Sequence, residues 1–595
     1  MPATATLLPS KVTAPTGASF LTDATACENI LVPEDFDEIQ LQVKATTDRF
    51  MNEEVLARLP DFENKEPGLA RNLIEKAGEI GLLGVVVPER YDGMEMDLTT
   101  QMLVSEGVGS YASFSTTYGA HCGIGTLPIV FFGTEEQKQR YVPRLVVAEI
   151  LGAYCLSEPQ AGSDSLASLT RAELTPDGRH YLLNGQKMWI SNGGWADLYT
   201  VFAKVDGEKF TAFLVERAWD GVRPGAEEHK MGLLGSSTTA LYLDNVRVPV
   251  ENVLGEIGRG HIIAFNVLNM GRLELAAACV GGNKDLIAES AAYALQRRAF
   301  GRPIADFGVI RQKLADMAVK TFAGESLVYR TSGMIDARLE GFSWDQPDAA
   351  RTALKAVEEY AIECSIAKVY MSEALDFVAD EAVQIHGGYG YHADYAVERG
   401  YRDSRINRIY EGTNEINRLL TTGMLMKRAA QGRLDLMGAI ARARSDGAEA
   451  PVVDGTAPFK YRDVVERAKR ATLSMAGLAY RRFGRDLNEQ QEVCGAIADM
   501  CMGVYATESA VLRAERLTAA GRGDSANDIL AVLAQSTMDS VRSLGCLVLG
   551  ACSGGADLRV GLAKFDQLVR IVPADLPAAR DRIAARILER GTFAI

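Results

Sequence analysis

The hydrophobic period changes twice along this chain, and that limits the folds open to it. From about Glu38 to Ala148 apolar residues recur at three and four, along Leu41 to Phe50 and again through Leu69 to Leu83. That is the spacing of amphipathic helices, interrupted at Val87-Pro88 and Tyr91-Asp92-Gly93. From about Ile150 to Asn252 the pattern becomes strand, turn, strand. Tyr181-Leu182-Leu183 follows Pro176-Asp177-Gly178, Asp206-Gly207 separates Leu198–Lys204 from Phe210–Val215, and Leu241–Val248 is another strand-rich piece. Turn dipeptides at this spacing predict an antiparallel β domain. Long helical stretches return from Gly260 to about Arg428, where Arg272 to Gln296 and Ala353 to Ile385 suit a bundle of four or so helices. Ser445 to Pro458 has little periodicity and reads as a linker, and further amphipathic helices run to about Arg590.

A chain of 595 residues is too long for one core. The reading is an α+β multidomain protein: a mobile lead-in over 1–37, an N-terminal helical domain over 38–149 and a central antiparallel β domain over 150–259. A C-terminal four-helix bundle follows over 260–430, then a linker over 431–459 and an additional helical domain over 460–595. A net charge of −15 opposes nonspecific binding to nucleic acid or anionic membranes. No run approaches the ~20 apolar residues that span a bilayer, and Met1 to Ser19 lacks the apolar segment of a secretory signal. The nine cysteines form no Cys-x-x-Cys pair and read as free thiols of a cytoplasmic protein. The six histidines show no His-Glu-x-x-His spacing, so no metal is expected.

Four motifs carry the chemistry. They are Tyr154-Cys155-Leu156-Ser157-Glu158-Pro159-Gln160-Ala161-Gly162-Ser163-Asp164, then Asn184 to Gly193, then Gln296-Arg297-Arg298-Ala299-Phe300-Gly301, then Gln384 to Gly390 followed by Arg405 to Arg418. In this order they resemble the signatures of the acyl-CoA dehydrogenase family, over roughly Glu38 to Met426. The extra C-terminal helices resemble the very-long-chain branch.

That resemblance implies FAD-dependent removal of an α proton and a β hydride from an acyl-CoA thioester, giving a trans-2-enoyl-CoA in fatty acid β-oxidation. The proton needs a carboxylate made basic by desolvation. The family's base is the Glu of Tyr-Glu-Gly-Thr, which maps onto Glu411; alone, a Glu-Gly pair is an ordinary turn. Tyr410 would exclude water, and Gly412 would let the thioester approach the backbone. Some members carry the base on the helix of Asn269-Met270-Gly271-Arg272, but Gly271 cannot serve and Glu274 is a weak alternative. Asn269, Gly271 and Arg272 would border the substrate.

Further flavin contacts are implied at Tyr154, Leu156, Ser157 and Gly162. Ser163 would meet flavin or pantetheine. Trp189 and Ser191 would flank the isoalloxazine, although a strand tryptophan is ordinarily core. Arg297 would reach the pyrophosphate of a neighbouring subunit's FAD, with Phe300 and Phe307 beside it and Gln384, Gly387 and Gly388 near the adenosine half. Thr413 and Glu415 would complete the set. His386 reads as structural.

The stretch Ala439 to Pro458 is a poor match for a cationic membrane helix, which favours a soluble protein with no stable membrane insertion. The family implies a homodimer and an electron-transfer flavoprotein as acceptor. An oxygen-using oxidase of the same fold, or a non-catalytic assembly protein that kept the fold, are the alternatives.

Overall fold

The computed structural model describes residues 11–445 and 460–594. The first ten residues of the expected lead-in and the second half of the expected linker, 446–459, lie outside the described residues.

Seven helices build the N-terminal domain: α1 (Glu38–Phe50), α2 (Leu59–Glu63), α3 (Leu69–Glu79), α4 (Leu98–Val108), α5 (Ala112–His121), α6 (Leu127–Phe132) and α7 (Glu135–Val146). A capping box fixes the first boundary. The Asp37 carboxylate accepts from the Gln40 N–H at 2.8 Å, and Gln40 Oε1 accepts from the Asp37 N–H at 3.1 Å.

The middle domain is one sheet of β1 (Gly152–Cys155), β2 (Arg171–Leu174), β3 (His180–Ser191), β4 (Leu198–Val205), β5 (Lys209–Glu216), β6 (Val222–Glu227), β7 (Thr238–Pro249) and β8 (Val253–Leu254). Its order is β6-β7-β3-β2-β4-β5-β8, with β1 on β4. Most pairs are antiparallel, as the turn dipeptides predict. However, β1 and β2 both run parallel to β4, since neither is joined to it by a hairpin. The β3–β7 register slips between Lys187 and Ile190. This bulge puts Trp189 at φ 60° and turns its indole outward, 58% exposed.

The bundle holds α8 (Gly260–Gln296), a two-stranded hairpin β9 (Arg298–Ala299) and β10 (Arg302–Pro303), then α9 (Gly308–Arg338), α10 (Ala349–Glu359), α11 (Ala361–His386), α12 (Ala396–Ser404) and α13 (Asn414–Ala430). Its four long helices are α8, α9, α11 and α13. By length and composition α8 could cross a membrane, against the sequence expectation that no run is apolar enough. About two-thirds of its most apolar window is buried inside the protein, which marks it as the central core helix. It meets α4 backbone to backbone: a Cβ on Gly281 would stand 1.9 Å from the Glu106 carbonyl oxygen.

The added region comprises α14 (Leu436–Ser445), α15 (Lys460–Phe483), α16 (Gln491–Ala519), α17 (Asp524–Cys552), α18 (Gly555–Val569) and α19 (Leu576–Arg590). It packs on the bundle through ion pairs, including Arg418–Asp499 at 2.6 Å and Arg580–Asp316 at 2.7 Å.

Two expectations need correction. The lead-in, where described, is a docked strap: Ala18, Ser19, Phe20 and Leu21 are buried. The Phe20 ring lies 4.7 Å from Tyr505, and Arg428 donates to the Gly17 carbonyl at 2.9 Å. Its Ala, Thr and Pro content hides two aromatic anchors, the second being Phe36, 4.7 Å from Tyr329. The expected linker also contains a helix, α14, whose Leu436, Ala439 and Ile440 are buried.

Arg513 ties three segments together. It pairs with Glu325 of α9 at 2.6 Å and with Glu34 of the strap at 2.7 Å, and it is buried itself. Removing one member of such a set leaves buried charge uncompensated. Arg513→Ala is therefore expected to lower stability by about 3–5 kcal/mol, measured as an earlier denaturant midpoint, and to open the strap to protease.

Candidate active site

A cavity of about 130 Å³ lies between α4, α5, α8 and the loop that follows Arg408; Ser191, Gly271, Glu274, Tyr410 and Glu411 are on its wall. Glu411 sits at φ 57° and Gly412 at φ 79°. Two left-handed residues in succession are costly for a non-glycine residue and concentrate at functional sites.

Buried donors from three helices hold this loop by its carbonyls. Arg272 Nε donates to the Glu411 oxygen at 3.3 Å. Lys368 Nζ donates to the Gly412 oxygen at 2.8 Å. Asn417 Nδ2 donates to Gly412 at 2.8 Å and to Thr413 at 3.1 Å. The carboxylate itself is left alone: Glu411 Oε2 is buried without a hydrogen-bond partner. Burial pushes the Glu411 carboxyl up to about 7, with Arg272 and Lys368 opposing. Asn269 orients Arg272 by accepting from its Nη1 at 2.9 Å.

Gly271 faces that carboxylate. A Cβ there would stand 2.8 Å from Glu411 Oε2, so position 271 must be bare for Glu411 to occupy its place. Glu274, one turn further on α8, is on the same cavity wall.

Ser191 reaches this cavity, and Trp189 is exposed two residues before it. Leu156 and Ser157, at the end of β1, are half-buried, while Gly162 and Ser163 are exposed, with open space where a Gly162 Cβ would point. A buried ion pair pins the intervening loop to β3. Burial alone would raise the Glu158 carboxyl, but Lys187 at 2.7 Å and the Leu169 and Thr170 donors hold it at about 2. Tyr154 differs from its neighbours. Its ring packs on Phe202 in the core at 5.1 Å, and its hydroxyl is buried without a partner. The Thr413 hydroxyl accepts from the Ile416 N–H at 3.3 Å, capping α13, and Glu415 is exposed on its first turn.

The remaining residues form a second cluster. The Arg297 guanidinium lies over the Tyr389 ring at 5.3 Å. Gln384, Gly387 and Gly388 are exposed beside it at the end of α11, Gly387 at φ 60°. Phe300 is 95% exposed, 6.0 Å from Phe307. Arg297 lies 26 residues beyond Gly271 along α8, about 39 Å at 1.5 Å per residue. The two clusters thus stand far apart in one chain. His386 is buried, stacked on Tyr293 at 4.0 Å, and its Nδ1 is 2.8 Å from the Ala382 oxygen, a packing role.

Sequence reasoning missed Lys368, Asn417 and Asn414, whose Oδ1 accepts from Lys368 Nζ at 2.7 Å. The one lysine in the stretch Ile362 to Met371 was the available signal for the first. Among the described residues no group of three or more His, Cys, Asp or Glu side chains could hold a metal.

Comparison with known proteins agrees with this architecture. Residues 37–149, 153–246 and 258–426 match the N-terminal, middle and C-terminal domains of acyl-CoA dehydrogenases, and residues 467–566 match a further acyl-CoA dehydrogenase C-terminal domain. A probable acyl-CoA dehydrogenase of Bacillus subtilis is 43% identical over 97% of this chain and 98% of its own length. The very long-chain specific acyl-CoA dehydrogenase of Rattus norvegicus is 42% identical over 60% of this chain and 52% of that one. The crystal structure of an acyl-CoA dehydrogenase complexed with FAD from Bacillus anthracis superposes with a TM-score of 0.95 at 43% identity, over 98% of this chain and all of that one. The chain belongs to the acyl-CoA dehydrogenase family.

Because the atom facing position 271 is the tip of a side chain, Gly271→Ala should fold and shift Glu411 rather than unfold the protein. A misplacement on the order of 1 Å costs about 100-fold in rate. That loss in kcat/KM, with an unchanged unfolding midpoint, is the expected result.

Proposed function

We propose that this protein is an FAD-dependent dehydrogenase that converts a long-chain acyl-CoA to the trans-2-enoyl-CoA in fatty acid β-oxidation, with Glu411 as the base. The observation that carries this reading is the Glu411 carboxylate: buried, unpartnered, raised to about 7 and facing a cavity across Gly271.

The residues present fit the cofactor. An indole turned out of the sheet by a bulge offers a ring face, Ser191 a hydroxyl, and the exposed Gly162-Ser163 loop open space for polar contacts. When bound, FAD supplies the acceptor for the β hydrogen and its electron pair. Glu411 takes the α proton on its free carboxylate. Its raised basicity matches that task near neutral pH. Arg272, Lys368 and Asn417 keep the Glu411-Gly412 backbone rigid, so the carboxylate moves little during transfer. Tyr410 helps close the cavity to water.

Arg297, Phe300, Phe307, Gln384, Gly387 and Gly388 would hold the phosphate and adenosine portions of FAD in a second copy of the chain. Their distance from Glu411 supports a homodimer. The nine free cysteines support a reducing cytoplasmic setting. The acceptor in this reading is an electron-transfer flavoprotein. A chain-length series from C4 to C20, followed by electron transfer to that acceptor or to oxygen, tests both finer points. Oxygen consumption with acyl-CoA and no other acceptor would replace dehydrogenase by oxidase.

Glu411→Gln should retain FAD and lose anaerobic bleaching of the flavin by acyl-CoA. Bleaching at the wild-type rate would sink the assignment. The pH dependence has a definite sign. A carboxyl raised to about 7 is protonated, and inactive as a base, below that value. The kcat/KM of free enzyme should therefore fall about tenfold per pH unit below about 7 and level off above it.

A further inference from the structure

A second carboxyl on the cavity has no part in that chemistry. Glu274 follows Gly271 by three residues on α8, about 4.5 Å further along the axis and on the same face. Its Oε1 is buried without a hydrogen-bond partner, and the side chain lines the same cavity as Glu411. Burial and the nearby Glu411 push its carboxyl up to about 7, with no cation opposing them.

Its surroundings offer it nothing. The Tyr118 hydroxyl already donates to the Leu82 oxygen at 2.7 Å. The Cys122 thiol is itself pushed well up by burial and by Glu274. Like Glu411, Glu274 is accommodated by a facing glycine: a Cβ on Gly123 would stand 2.7 Å from Glu274 Oε2. The cavity wall also carries apolar Ile124, Leu275, Ala278 and Leu375 beside the polar Ser105, Ser115, Thr116 and Asn407, and none of these bonds Glu274 Oε1. A wall meant only for methylene groups gains nothing from a carboxyl. An alkyl chain lying against it would leave the carboxyl desolvated and unpaired.

We propose that Glu274 is a specificity-determining residue that hydrogen-bonds a hydroxyl carried on the acyl chain a few carbons beyond Cβ, so that chain-hydroxylated acyl-CoA thioesters are the preferred substrates. This deepens, and rests on, the dehydrogenase reading above. The hydroxyl donates to the carboxyl or accepts from its protonated form. A site built around such a contact discriminates against the analogue that lacks it.

The experiment compares hexadecanoyl-CoA with a positional series of hydroxyhexadecanoyl-CoA thioesters, the hydroxyl placed from C6 to C8 so that the thioester does not lactonise readily. Wild type, Glu274→Gln and Glu274→Leu holoenzymes are assayed, with FAD content and unfolding midpoint recorded. Wild type is expected to favour at least one hydroxylated isomer by about tenfold or more in kcat/KM. Glu274→Leu should erase that preference while still oxidising hexadecanoyl-CoA, and Glu274→Gln, which keeps a donor and an acceptor, should retain most of it. A wild-type ratio near one at every position, or a preference that survives in Glu274→Leu, overturns the proposal. If Glu274→Leu does not fold, the wild-type ratios and Glu274→Gln decide it. Should no thioester bleach the wild-type flavin, the dehydrogenase reading itself fails, an outcome separate from the loss of preference.

Discussion

The carboxylate of Glu411 has a place in this molecule because residue 271 has no side chain. That one vacancy decides much else. It lets a loop in left-handed conformation bring the carboxylate against α8, and the loop is then secured by its carbonyls, not by its charge. The comparison with Glu158 shows why this matters. Both are buried glutamates, yet Glu158 is held at about 2 by Lys187 and several donors, whereas Glu411 is raised to about 7. Arg272 and Lys368 are close enough to stabilise Glu411 ionically, but their hydrogen bonds go to the backbone oxygens of Glu411 and Gly412. Had either formed a direct ion pair with the carboxylate, its basicity would have dropped toward that of Glu158. The loop gains rigidity from these cations and the carboxylate retains its proton affinity.

Much of this was legible in the chain. The change of hydrophobic period located the sheet between two helical regions, and the Tyr-Glu-Gly-Thr motif singled out residue 411. What escaped was set by tertiary context. Trp189 sits in a strand and would read as core without the motif; the resemblance sets it beside the flavin but does not say how it leaves the sheet. A register slip of one residue against β7, which no propensity reports, points it outward. Lys368 is one charge among several on α11, beside Glu363, Glu373 and Asp376, and its role appears only when the loop from 411 to 413 folds across it. The strap from 11 to 37 has the composition of a loose end, and its docking depends on Phe20, Glu34 and Asp35 finding partners some 480 residues away in the sequence.

Those partners belong to the added helical region, which is joined to the bundle by buried charge to an unusual degree. Lys284 bridges Glu106 and Glu325, Glu325 and Glu34 share Arg513, and Arg330 and Lys469 share Glu508. Apolar residues could fill the same volume at equal or greater stability. Charges, however, fit in one arrangement only, since a shifted helix would strand an ion in the core. The network therefore fixes the register of α16 against α9 and of the strap against both. Lys284 and Glu106 carry this chain of contacts to α8 and α4, which Gly281 brings into backbone contact.

The same rigid α8 explains the division of the flavin-contact candidates. One helix carries Gly271 at the cavity and delivers Arg297 about 39 Å away, where Phe300 and Tyr391 stand largely bare and Tyr389 is half exposed. No bend of a continuous buried helix brings these ends together, and one flavin ring touches only one of them. An exposed aromatic cluster around the Arg297 guanidinium costs solubility unless something covers it, and the proposed second copy would cover it with its own FAD. In the proposed dimer the separation is a consequence of helix length: a helix long enough to form the core of the bundle would also be long enough to carry half of a binding site out to a neighbour.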